Sequence, residues 1–122
     1  MEEKQLQAKI EEYEERKIEL KKKETESDFL INDLQRVYQQ QAEILEEFLY
    51  YSKGTEAERS ARIDIEMLED ERTEAFRTFD AGKEELTELV SETERKKIQA
   101  EDNLLWLQKK KQAQEEEEDA QI

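Results

Sequence analysis

The chain has 122 residues, no Pro, Cys or His, two Gly, 45% charged and 34% apolar residues, and a formal charge of −15. So small an apolar share cannot fill a broad core, though it suffices for a narrow seam between helices. The missing Cys exclude a disulfide framework or thiolate metal site, and the missing His removes the commonest general base and zinc ligand. The negative field repels nucleic acid and anionic lipid, so neither is expected as a partner.

In chain order, the N-terminal run "MEEKQLQAKIEEYEE" is acidic and lacks the apolar stretch of a secretory signal. No apolar run approaches the ~20 residues that span a bilayer. A soluble, cytoplasmic protein is expected, with any export by a non-Sec route. The first element is a helix over about residues 2–52. Its seam runs at alternating four- and three-residue steps: Leu6, Ile10, Tyr13, Lys17, Leu20, Glu24, Ser27, Ile31, Leu34, Tyr38, Gln41, Leu45, Phe48. This is the heptad rhythm, weakest at Lys17, Glu24 and Ser27. Leu30, Val37, Ile44 and Leu49 widen the stripe toward its end, as suits a helix packed against more than one neighbour.

The stretch "LYYSKGTEAE" reads as a corner. Gly54 takes the left-handed conformation that ends a helix, Thr55 caps the next, and Glu58 three residues on completes a capping box. So short a connection makes the two helices antiparallel. With the corner at Gly54, facing residue numbers sum to roughly 108. That register sets Phe29 near Phe79, Leu20 near Leu89, Ile10 near Ile98, and Trp106 beside residue 2. Ser27 falls opposite Gly82, a soft layer where the helices could kink.

The second helix is expected over about 56–113. Its seam reads Ala61, Ile65, Leu68, Arg72, Ala75, Phe79, Gly82, Leu86, Leu89, Thr93, Lys96, Ala100, Leu104, Leu107. Lys109, Lys110 and Lys111 suit the negative end of a helix dipole. Residues 115–122 read as an acidic disordered tail, leaving a hairpin over 1–114. The fold class is all-α, a long antiparallel two-helix hairpin of coiled-coil type.

No catalytic, cofactor or metal site is expected. Carboxylates abound, but acid–base work needs one in a dry cleft, and a thin hairpin offers none. No glycine-rich phosphate loop or calcium loop is present. The chain is expected to be a non-enzyme with a surface that binds protein. The strongest candidate is the cluster Leu104, Leu105, Trp106 and Leu107: one helix cannot point all four at a single neighbour, and Trp is a typical interface anchor. Near the corner, Tyr38 and Phe48 read as core, whereas Tyr50 and Tyr51 cannot both face inward and are the second candidate for binding a partner. Phe76 and Asp80 stand four apart on one face, a stripe residue beside a solvated acid. A hairpin this thin invites further helices, either a homodimer or a long helical partner.

The architecture is similar to that of the small WXG-type proteins of type VII secretion. The run "RKKIQAEDNLLWLQKKKQ", Arg95 to Gln112, resembles the end of the second helix in a family of accessory proteins of LXG toxins. The resemblance implies a small partner that binds the helical N-terminal domain of an LXG effector and targets it for export in Gram-positive bacteria. The corner reads Ser52-Lys53-Gly54 in place of the family's Trp-x-Gly, and no Tyr-x-x-x-acid signal follows the second helix. The resemblance therefore implies that a second small helical protein supplies the export signal. Two other readings stand beside it. One is a coiled-coil chaperone of an export ATPase, similar to the flagellar type; the other is a structural homo-oligomeric coiled coil.

Overall fold

The structure, a computed structural model, describes residues 2–121. Met1 and Ile122, at the outer limits of the expected hairpin and tail, lie outside the described residues, as does the side chain of Gln121. Two helices account for nearly the whole chain: α1, Glu3–Ser52, and α2, Ala57–Gln121. They form the expected all-α antiparallel hairpin. Neither helix is interrupted at Ser27 or Gly82. With no Pro in the chain, nothing removes a backbone donor there.

The end of α2 differs from expectation. The stretch read as a disordered tail is helical to Gln121. Gln, Ala and Glu are good helix formers, and no Gly or Pro stops the helix after Leu107. The tail has no partner from α1, and the side chains from Lys109 to Ala120 are exposed.

The corner forms as the sequence suggests, with one substitution of partners. Gly54 has φ +78°, the left-handed conformation that a side chain disfavours. The Thr55 amide and hydroxyl both donate to the Ser52 carbonyl, at 3.0 and 2.6 Å. The same hydroxyl accepts from the Ala57 amide at 3.3 Å, so one side chain closes α1 and opens α2. Because the Thr55 amide is already engaged, Glu58 reaches one residue further back and accepts from the Gly54 amide at 3.2 Å. That bond, and then Arg62, hold the Glu58 carboxyl below the ordinary carboxylate value.

The chain groups into two compact units. The first comprises Met1–Lys23 with Leu86–Ile122, and the second Glu24–Glu85. In the first unit Leu6, Leu20, Thr93 and Ala100 are buried. Thr93 satisfies its hydroxyl by donating to the Leu89 carbonyl one turn back, at 2.7 Å. In the second unit the buried residues are Tyr38, Ser52 and Ala61, and the Tyr38 ring packs on Phe76 at 6.1 Å. Both cores are narrow, as the composition requires.

The facing register is offset from the expected one. Lys17 meets Glu94, Glu14 meets Lys97, and Asp28 meets Lys83; each pair of numbers sums to 111, not 108. The helix ends, Ser52 and Ala57, sum to 109. The remaining difference follows from side-chain direction. A helical side chain leans toward its own N-terminus and covers a spot about one residue before its Cα. In an antiparallel pair both partners lean, so contacts occur about two numbers higher than backbone levels. Phe29 is accordingly 66% exposed rather than packed on Phe79, and Ile98 is 47% exposed.

The inner seam of α1 also departs from the strict heptad. It holds from Leu6 to Tyr38, then passes through Ala42, Leu45, Leu49 and Ser52, leaving Gln41 and Phe48 exposed. An undistorted helix drifts about 20° per heptad from a seven-residue repeat, and one extra four-residue step restores the facing direction. Phe48, expected in the core, is therefore outside it. On α2 the charge nearest the seam is Lys97 rather than Lys96, and Arg72 and Gly82 are exposed.

Candidate interaction surface

Near the open end of the hairpin, within the first unit, Leu6, Tyr13, Ala100, Trp106 and Leu107 line a groove of about 310 Å³ together with Lys9, Lys96, Gln99 and Asn103. Its floor is the seam, because Leu6 and Ala100 are buried. Trp106 and Leu107 bring two of the four apolar cluster residues to it, and the helix divides the cluster by angle. Leu104 and Leu107 are half-buried toward α1, while Leu105 and Trp106 are 52% and 61% exposed. The Lys110 ammonium lies 5.1 Å from the centre of the Trp106 ring, one turn on, as a cation over an aromatic face.

The end is clasped beside this groove. Glu3 accepts from the Gln108 amide at 3.1 Å and from the Lys111 ammonium at 3.3 Å, in that order the causes that lower its carboxyl pKa. The basic run therefore serves α1 and Trp106 rather than the end of α2, which lies further on.

Deeper in the same unit, the polar interruptions of the seam pair across the hairpin. Lys17 reaches Glu94 at 2.7 Å and Lys97 reaches Glu14 at 2.5 Å, with Glu101 at 3.7 Å from Lys97. The lysine side chains are about one-fifth exposed, and the paired carboxylate oxygens are enclosed. The ammonium beside each carboxylate lowers the pKa of Glu14 and Glu94, and Glu14 raises that of Lys97. Charges set into an apolar seam penalise every other register, since a slip would leave them enclosed and unpaired.

The second unit has a different surface. Tyr50 and Tyr51 are both exposed, at 68% and 73%, and stack edge to face on each other at 5.3 Å, with Lys53 over Tyr50. The spacing requires only that they not both face inward. Phe76 is half-buried against Tyr38 and capped by the Arg72 guanidinium, while Asp80 is exposed. Leu30, Val37 and Ile44, which widened the predicted stripe, stand 58%, 48% and 65% exposed, whereas Leu49 turns inward.

Among the described residues no helix is long and apolar enough to cross a membrane, and no group of three or more acidic residues is arranged to hold a metal ion. The chain matches no protein-family profile, no curated protein and no solved structure.

Proposed function

We propose that this chain is a non-enzymatic adaptor. It binds the helical N-terminal domain of an LXG toxin and promotes that toxin's export by type VII secretion. The observation that carries the binding half is the exposed Trp106, on an open groove of mixed lining, with the exposed Leu105 next to it in the chain. A large aromatic at the lip of such a groove is the kind of anchor that a helical partner covers. The export half rests on the resemblance of Arg95 to Gln112 to the toxin accessory proteins. In this reading a second small helical protein supplies the export signal, because Phe76 and Asp80, which have the aromatic-x-x-x-acid spacing of that signal, lie within α2, where Phe76 packs on Tyr38.

Co-expression with the helical N-terminal domains of LXG toxins tests this reading. A stable complex that Trp106→Ala dissolves is expected. If none of those domains co-purifies, or the chain alone is a tight homodimer with Trp106 enclosed, the adaptor reading falls.

A further inference from the structure

We infer that the outer face of α1 between Leu30 and Tyr51 is a docking seam for a partner helix with apolar residues at heptad spacing and Lys or Arg flanking them. Leu30, Leu34, Val37, Ile44, Phe48 and Tyr51, with Gln41 among them, follow one another at unbroken four- and three-residue steps. Scattered exposed apolar residues need no explanation, but three heptads in register do. The hairpin shares only Leu34 with this stripe. Its own seam continues from there through Tyr38, Ala42, Leu45 and Leu49. Val37, Ile44, Phe48 and Tyr51 are left 45–73% exposed.

Charge selects the occupant. One residue before Leu34, Gln41 and Phe48 stand Asp33, Gln40 and Glu47, at positions that flank a coiled-coil interface and choose its partner. From Glu24 to Ser52 the helix carries seven acidic residues and one basic one, Arg36. The second unit as a whole holds 18 acidic residues against 7 basic ones. A second copy would bring the same acids to the interface, and like charges facing each other suppress such pairing. A helix with basic flanks complements the field. This argument stands apart from the toxin reading, which rests on Trp106.

The test uses the full chain and two synthetic four-heptad peptides with the same Leu and Ile seam, one flanked by Lys and one by Glu. Titration calorimetry at low salt should show the Lys peptide binding at least about tenfold more tightly than its twin. Val37→Ser with Ile44→Ser should weaken that binding about tenfold while helix content by circular dichroism is unchanged. Glu47→Lys should shift preference toward the Glu peptide. Equal binding of the two peptides, indifference to the double serine variant, or a parent dimer that this variant splits into monomers would overturn the inference. A chain that fails these peptide tests but still binds a toxin domain through Trp106 would overturn the inference and leave the adaptor reading intact. Peptide selection in a chain that binds no toxin domain would do the reverse.

Discussion

The two units are built from the same two helices but solve opposite problems. The first holds 17 acidic and 13 basic residues, the second 18 and 7. In the first, charges enter the seam and close it, through Lys17 with Glu94 and Lys97 with Glu14. In the second, the enclosed contact between helices is aromatic and small-residue, Tyr38 on Phe76 with Ala61 and Ser52 buried near the corner, and the pair Asp28 with Lys83 stays about half exposed. There the apolar residues outnumber the places inside, and the surplus forms an ordered stripe. One unit uses charge to set register; the other uses it to surround an unpartnered apolar face.

The largest effects that separate the units come from their cores. Tyr38→Ala should cost about 3 kcal/mol, and Leu20→Ala about 2–3 kcal/mol, by denaturant unfolding. Hydrogen exchange should place the lost protection in the second unit for Tyr38 and in the first for Leu20. Protection lost uniformly through both helices in either variant would erase the distinction. Next in size, Ala61→Leu should destabilise by about 2 kcal/mol, because Ala61 is fully enclosed and extra methylenes have no space.

Smaller again is a contrast between two glycines. Gly54→Ala should lose about 1 kcal/mol or slightly more, since φ +78° strains any side chain. Gly82→Ala should gain about 1 kcal/mol, because its site is helical and an added Cβ meets nothing within 4 Å. Equal signs in thermal melts would show that one of these backbone assignments is wrong.

The last contrast is in pH. Glu14 and Glu94 have lowered pKa values, so their contribution is fully present above the ordinary carboxylate value of 4.5 and disappears as pH falls through the lowered ones. Lys97 is raised, so its contribution is present below 10.5 and disappears as pH rises through the raised value. Removing the clasp with Lys17→Met and Lys97→Met should therefore flatten the acid and alkaline limbs of the stability profile. It should do so for protons of the first unit only.

How far the sequence foretold this follows from where its signals are local. The corner was legible because Gly54, Thr55 and Glu58 act within a few residues of one another. The inner seam was legible to Tyr38 because heptad spacing is a local pattern. Beyond it two seven-residue stripes run side by side on α1, and periodicity alone does not say which faces α2. Phe48 was assigned to the wrong one. The register was off by three because the lean of side chains is a property of packed helices, not of spacing. Lys17 looks like a flaw in α1 alone and finds its partner, Glu94, once that offset is known. The division of Leu104 to Leu107 into two inner and two outer residues was foreseeable from helical angle alone.

The central claim is that the hairpin leaves ordered apolar surface open to a foreign helix. Hydroxyl-radical footprinting of the full chain, alone and with an LXG toxin's helical domain, tests it most directly. Ile44, Phe48 and Trp106 should be labelled heavily in the free chain, and Trp106 should be protected in the complex. If the three are already protected in the free chain, or Trp106 stays labelled when the toxin domain is bound, the claim is contradicted.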